Sequence, residues 1–170
     1  MNTKDTKDTL RLLVDWECNL KCAYCCNEQQ RFRKDITPID SLSVIDWQKY
    51  SFVCITGGEP LLFMDRVREV AALSRGFNII YSNGLLWNQG IADKLSLWNI
   101  KAANIGLHYP KSFDQVIKNI SSITTDISVR FHVWDKFKDE MLEKYPKVNF
   151  RFWTMNDCDR DNEDRFVLVK

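Results

Sequence analysis

The chain has 170 residues, of which 45 % are hydrophobic and 28 % are charged, with 24 basic and 23 acidic side chains. This composition excludes a disordered or collagen-like chain, and the net charge of +1 gives no direct signal for nucleic-acid binding. A chain of this length buries enough surface to hold a core without disulfides. The six cysteines, four of them between positions 18 and 26, therefore need another explanation.

The N-terminal region and the overall hydropathy predict a cytoplasmic protein with no membrane partner. Residues 1–9 are polar, lack the apolar run of a signal peptide and are predicted to form a flexible tail. No segment approaches the roughly 18 consecutive apolar residues of a membrane span. Thiols stay reduced in the cytoplasm, so clustered cysteines indicate metal ligands or catalytic groups. We expect one domain over residues 10–170.

Six short apolar runs, rich in Val, Ile and Phe and bounded by turn residues, predict buried parallel strands. They are Leu10–Trp16, Phe52–Thr56, Phe77–Tyr81, Ile100–Leu107, Ile127–Trp134 and Val148–Trp153. A later run, Phe166–Val169, predicts a short closing strand or a segment that covers a neighbouring element.

Amphipathic segments between these runs predict helices. Thr37 and Pro38 have the composition of a helix start, and Ile39, Leu42 and Ile45 follow at helical spacing. Apolar residues also recur at helical spacing over Val67–Leu73, Phe113–Ile123 and Phe137–Tyr145, whereas Asn88–Leu97 is weakly patterned. Alternating strands and helices predict a partial (β/α)6 TIM-type barrel, open on one side, with a flat doubly wound sheet as the competing architecture.

The cysteine cluster carries the clearest chemical signal. Cys18, Cys22 and Cys25 follow the first predicted strand with the spacing C-x3-C-x2-C. Thiolates are the ligands of iron–sulfur clusters, and three of them leave one iron open to another ligand. The alternative is a zinc site that adds Cys26 or a histidine, although zinc sites usually show two separated C-x2-C pairs.

The segment from Cys18 to Cys25, with the aromatic Tyr24 before the third cysteine, resembles the signature of the radical S-adenosylmethionine (radical SAM) superfamily. The sequence Gly57-Gly58-Glu59-Pro60, at the end of the second predicted strand, resembles the GGEP motif of that family. The resemblance extends from about Leu10 to Trp153. It implies an enzyme whose three cysteines hold a [4Fe–4S] cluster, with S-adenosylmethionine (SAM, also written AdoMet) chelated by the open iron.

The resemblance also implies an activity. An external electron donor such as a flavodoxin or ferredoxin would reduce the cluster, and SAM would be cleaved to methionine and a 5′-deoxyadenosyl radical that takes hydrogen from a substrate. A small molecule or nucleotide is the favoured substrate. Two alternatives stay open: an activating enzyme that installs a radical on a partner protein, and a non-catalytic iron–sulfur or zinc module.

The implied SAM-binding residues follow the second and third predicted strands. The turn Gly57-Gly58-Glu59-Pro60 would take the amino group of SAM, and Ser82 and Asn83 would contact its ribose or carboxylate. Tyr24 would help hold the adenine through its backbone. Many relatives carry a glycine-containing adenine motif on the fifth strand, and this sequence has none there.

Candidate substrate or catalytic residues occur on the later strands. His108 closes the fourth predicted strand, Arg130 and His132 alternate with apolar residues on the fifth, and Arg151 and Trp153 lie on the sixth. Because alternate residues of a strand face opposite sides, one face is polar and is predicted to bind an anionic substrate or the SAM carboxylate. A partly solvated strand edge is the alternative.

The remaining cysteines cannot supply a second cluster of three or four ligands. Cys26 is predicted as a free residue in the cluster loop, Cys54 as part of the core, and Cys158 as a lone cysteine near the C-terminus.

Overall fold

The computed structural model describes residues 7–23, 25–108, 110–154, 157 and 162–169. It contains eight strands: β1 (Thr9–Leu13), β2 (Thr37–Ile39), β3 (Phe52–Thr56), β4 (Phe77–Ser82), β5 (Ile100–Leu107), β6 (Ser128–Trp134), β7 (Phe150–Trp153) and β8 (Glu163–Leu168). The α-helices are α1 (Gln30–Lys34), α2 (Met64–Leu73), α3 (Gln89–Leu97), α4 (Phe113–Ser121) and α5 (Lys138–Lys144).

All strands run parallel in one open sheet of order β2-β8-β1-β3-β4-β5-β6-β7. The six predicted strands are confirmed, and they are neighbours in the order in which they follow along the chain. Two further strands, β8 and β2, extend the sheet beyond β1. The fold is therefore an α/β partial barrel that does not close, as the sequence predicts, with a wider sheet than six strands.

The helix predicted from Thr37 is wrong. Thr37–Ile39 is instead an edge strand paired with β8, where the missing N–H of Pro38 is tolerated. Two separate 3-10 turns follow, because Ser41 accepts from the N–H of Ser43 and Asp46 accepts from that of Gln48. The apolar residues that suggested a helix, Ile39, Leu42 and Ile45, are still buried in the core.

The other helix predictions agree with the structure. The apolar stripe of α4 is buried, with Phe113, Val116, Ile117 and Ile120 in the core. The weakly patterned segment after Asn88 is also a helix, α3, because the Asn88 side chain accepts from the N–H of Ile91 and caps its first turn. In the described residues, no helix is long and apolar enough to cross a membrane.

The two faces of the sheet differ in chemistry. One face contributes apolar residues such as Leu10, Leu12, Val53 and Ile55 to the main core, beneath the helices. The other face of the same strands lines a cavity and is largely polar. Thr9, which the sequence assigns to the flexible tail, begins β1, and Asp8 O accepts from the N–H groups of Ser51 and Phe52. Residues 1–6 of that predicted tail lie outside the described residues.

Candidate active site

The cysteine loop after β1 is hydrogen-bonded to the glycine turn after β3. Val14 N–H donates to Thr56 O at 2.9 Å, and the N–H groups of Gly58 and Glu59 donate to the carbonyls of Asp15 and Glu17, each at 2.9 Å. These bonds bring the two backbones so close that side chains do not fit between them. The structure therefore gives the two glycines a role in loop packing, in addition to the expected access for SAM.

A side chain at Gly57 or Gly58 would clash with the backbone of the cysteine loop. A Cβ at Gly57 would lie 2.5 Å from Asp15 O, and one at Gly58 would lie 2.5 Å from Trp16 O and closer still to the carbonyl of Glu17. Asn27 strengthens the same junction, since its side-chain amide donates to Gly57 O.

Glu59 is fully buried and joins the turn to the end of β4. One carboxylate oxygen accepts from the Ser82 hydroxyl at 2.8 Å and from Leu61 N–H at 3.1 Å, and the other accepts from Asn83 N–H at 2.7 Å. Burial raises the pKa of the Glu59 carboxyl, and the three donors oppose that rise. Glu59 and Pro60 do not line the cavity, whereas Gly57 and Ser82 do.

Asn83 holds the cysteine loop from the other side. Its side-chain amide donates to Asn19 Oδ1 at 2.6 Å and lies 4.0 Å from the sulfur of Cys18, while its own oxygen accepts from Leu85 N–H at 3.0 Å. Asn83 is therefore placed to orient the first cysteine.

The three cysteines of the C-x3-C-x2-C segment are free and open onto one cavity. Cys18 is exposed, and Cys22 and Cys25 are half-buried. Burial, and then the charges of Cys25 and Cys18, raise the pKa of the Cys22 thiol to about 11. Burial also raises the pKa of Cys18. The repulsion among these thiolates is relieved when positively charged iron binds them.

The arrangement of the three thiols can be compared with the arrangement of ligands that a [4Fe–4S] cluster requires. Within the described part of the chain, no three Cys, His, Asp or Glu side chains converge closely enough to hold a single metal ion. A [4Fe–4S] cluster makes a different demand, because each thiolate binds its own iron at a separate corner. Three free thiols spaced around one cavity fit that group.

Cys54 and Cys26 do not add a thiol to this set. Cys54 is buried in β3, as predicted, and its register partner on β1 is Arg11. Cys26 is disulfide-bonded and is not the free residue that the sequence predicts. Tyr24 and Cys158 lie outside the described residues.

The polar face of the sheet forms the wall of the cavity. Apart from the cluster loop, its lining includes Arg11, Tyr81, Asn104, His108, His132, Arg151, Trp153 and Glu163. His132 stands edge-on to the Tyr81 ring, with centroids 5.9 Å apart. Arg130, on the same strand as His132, is exposed and does not line the cavity.

His108 is a neutral imidazole in this wall. Its ring stands edge-on to Trp153, with centroids 6.0 Å apart, and burial lowers its pKa to about 4. Gly106 makes room for it, because a Cβ there would lie 2.8 Å from His108 Cδ2.

Sequence reasoning did not single out Arg11, Asn19 and Asn27 in this site, or Arg66, which anchors the start of the cysteine loop. Arg66 donates to Val14 O at 2.6 Å and to the carboxylate of Asp15 at 2.7 Å. Arg11 did leave a signal, since it is a charged residue inside an apolar strand.

A family model described as the Radical SAM superfamily matches residues 17–157. Among curated relatives, a GTP 3′,8-cyclase of Microcystis aeruginosa is 30 % identical over 128 residues, which cover 66 % of this chain and 38 % of the cyclase. A candidate glycyl-radical enzyme activating enzyme of Methanocaldococcus jannaschii is 29 % identical over 129 residues, covering 72 % of this chain and 43 % of that protein. The chain thus spans less than half the length of these relatives.

Two solved structures share the fold. BtrN in complex with AdoMet and 2-DOIA superposes with a TM-score of 0.55 at 16 % identity, covering 87 % of this chain and 70 % of BtrN. The enzyme anSMEcpe with bound AdoMet gives a TM-score of 0.52 at 16 % identity, covering 85 % of this chain and 50 % of that protein.

Proposed function

This chain belongs to the radical SAM superfamily, and we propose that it binds a [4Fe–4S] cluster through Cys18, Cys22 and Cys25 and uses SAM to take hydrogen from a small-molecule substrate. One observation carries the proposal: three free thiols, Gly57 of the glycine turn and polar side chains of the sheet all open onto one cavity. The groups assigned to the cofactors and to the substrate therefore face the same cavity.

The chain supplies binding and orientation. We assign contacts with SAM to Gly57 and Ser82 because both line the cavity. Glu59 and Asn83 act behind them: Glu59 fixes the Ser82 hydroxyl, and Asn83 links the end of β4 to the cysteine loop. Aromatic side chains of the wall, Tyr81 and Trp153, restrict water around the reacting groups.

A [4Fe–4S] cluster held by Cys18, Cys22 and Cys25, with SAM bound beside it, would supply the radical chemistry: one electron from an external donor would cleave SAM reductively, so that a hydrogen atom could be taken from the substrate. The wall around His108 and His132 is compact and mixes aromatic with polar groups, as small-molecule sites do. This composition supports a small substrate over a large one.

The test is anaerobic reconstitution with iron and sulfide, followed by reduction with dithionite in the presence of SAM. The proposal predicts bound iron and sulfide and the release of 5′-deoxyadenosine. A chain that binds zinc in place of iron and sulfide, or that carries the cluster but releases no 5′-deoxyadenosine, would refute it.

Cysteine variants test the ligand assignment. Cys22→Ala is expected to abolish the visible absorption of the cluster, because it removes one of three thiolate ligands. Cys54→Ala is the matched control, since Cys54 is also a cysteine outside a disulfide but is buried in β3. Equal loss of absorption in the two variants would show that the assignment is wrong.

The similarity to a candidate glycyl-radical enzyme activating enzyme supports a second function, in which the substrate is a partner protein. The two functions differ in their radical product. A stable protein radical that appears on a co-purifying partner, detected by electron paramagnetic resonance, would favour the activating function over the small-molecule one.

A further inference from the structure

A buried charge cluster forms part of the cavity wall at the junction of β1 and β8. One carboxylate oxygen of Glu163 accepts from Arg11 Nε and from Arg165 Nε, each at 2.8 Å. The three residues are 4–7 % exposed. Two guanidinium groups therefore share one buried carboxylate, and the cluster carries an excess positive charge.

The neighbours of Arg165 offset part of this charge on the side of that residue. Arg165 Nη1 lies 3.8 Å from a carboxylate oxygen of Asp35, and its guanidinium stacks over Phe32 at 4.8 Å. No such acid approaches Arg11 besides Glu163 among the described residues. The excess charge is therefore concentrated on Arg11.

Arg11 directs this charge to the cavity. It lines the cavity together with the three cysteines, and its guanidinium carbon lies 4.7 Å from the centre of the Tyr81 ring. Beyond the bond from Nε to Glu163, no hydrogen bond joins the side chain of Arg11 to the residues that the structure describes. The two terminal nitrogens of a guanidinium held in this way are oriented for a further acceptor.

Joining β1 and β8 through buried charges carries a desolvation cost that an apolar contact would not. The desolvation cost of burying a pair of charges is about as large as the attraction between them, and apolar residues of similar size often stabilise a fold as well or better. A second buried cation adds to the cost. An anion bound in the cavity would offset this cost.

Arg151 supplies a second cation to the same cavity, from β7. Two acids also line it. Glu163 is already paired with two arginines, and the carboxylate of Asp157 accepts from the N–H and hydroxyl of Thr154. Both carboxylates are thus engaged, which leaves the arginines as the groups that meet a ligand.

We propose that the substrate carries an oxyanion, a phosphate or a carboxylate, which binds to Arg11 with Arg151 as the second cationic contact. This inference rests on the proposed function, because it assigns the chemical class of the substrate at that site. Arg11 acts as a bidentate donor, and Glu163 with Arg165 fixes its orientation.

Isothermal titration of the reconstituted protein tests the proposal, with tripolyphosphate and citrate as probes. We expect the wild type to bind one of them, and the better probe identifies phosphate or carboxylate as the group. Arg11→Gln and Arg151→Gln are each expected to weaken binding by about tenfold or more, since each removes a charge-assisted hydrogen bond. Arg68→Gln, an exposed arginine on α2, is the matched control and is expected to bind as the wild type does.

Three results would overturn the inference: no binding of either probe, equal affinity in folded Arg11→Gln, Arg151→Gln and Arg68→Gln, or competition between SAM and the probe. Competition would assign the arginines to the carboxylate of SAM. Arg11→Lys, which keeps a cation beside Glu163, replaces Arg11→Gln if the latter fails to fold, and an intermediate affinity is expected. The titration does not depend on 5′-deoxyadenosine release, so it can fail while the proposed function stands.

Discussion

Replacing Gly58 with alanine is expected to dislodge the cysteine loop while the sheet stays folded. The new Cβ would lie 2.5 Å from Trp16 O and closer to the carbonyl of Glu17, where ordinary contacts begin near 3.4 Å. The two backbones must therefore separate by roughly 1 Å, which breaks the 2.9 Å hydrogen bond from Glu59 N–H to Glu17 O.

The magnitude follows from the two losses. Overpacking costs about 1–3 kcal/mol, and a lost hydrogen bond about 0.5–1.5 kcal/mol. Gly58→Ala should therefore lower the free energy of unfolding by about 2–4 kcal/mol and reduce the iron and sulfide bound on reconstitution, because Cys18 follows Glu17 directly.

Gly90→Ala is the matched control. Gly90 lies in α3, and the nearest atom to a Cβ there is Asn88 Oδ1 at 3.4 Å, an ordinary contact. Alanine is favoured over glycine in helices by up to about 1 kcal/mol, so this variant should be slightly more stable. Urea unfolding followed by circular dichroism, together with iron and sulfide analysis, measures both variants. If Gly58→Ala unfolds at the urea concentration of the wild type and binds as much iron and sulfide, the close packing of the two loops is refuted.

Two further predictions concern His108 and Ser82. Because burial lowers the pKa of His108 to about 4, the unfolded chain takes up a proton at this residue as the pH falls from 6.5 to 4 while the folded chain does not, so stability is lost across that range. The part of this loss of stability that is due to His108 is at most about 3 kcal/mol, and it should be absent in His108→Asn. Urea unfolding of the wild type and of His108→Asn at pH 7 and pH 4.5 measures the loss. If both proteins lose the same stability between these pH values, His108 is not a neutral buried histidine. Ser82→Ala removes a hydroxyl that donates to buried Glu59 at 2.8 Å and should lower the free energy of unfolding by about 1–2 kcal/mol; unchanged urea unfolding would show that this bond contributes nothing.

Local patterns were sufficient for most of the fold. The apolar runs of β3 and β5 coincide with their strands from end to end, and the stripe of α4 matches its buried face. Each of these hydrophobic patterns involves neighbouring residues of one segment, so it can be recognised in the sequence without knowledge of the tertiary structure.

The failures have physical causes. Ile39, Leu42 and Ile45 have helical spacing, but the caps at Ser41 and Asp46 divide the segment into separate turns. The apolar run after residue 165 marked only the end of β8, because its beginning contains Glu163 and Arg165. The carboxylate of Glu163 pairs with Arg165 and also with Arg11, which lies 152 residues away along the chain. A local sequence pattern does not reveal ion pairs between residues that are far apart along the chain.

For the candidate site, too, the sequence indicated some features and only the structure revealed the others. Cys18, Cys22 and Cys25 and the glycine turn are contiguous motifs, so the sequence indicated them directly. Whether a side chain of these motifs faces the cavity or lies behind it depends on the packing of two loops, and only the structure separates Gly57 and Ser82 from Glu59.

The release of 5′-deoxyadenosine under anaerobic reduction tests the central claim most directly. Reconstituted wild type and Cys54→Ala are expected to convert SAM to 5′-deoxyadenosine, whereas Cys22→Ala is not. Equal release from Cys22→Ala, or none from a wild type that carries its full iron and sulfide, would contradict it.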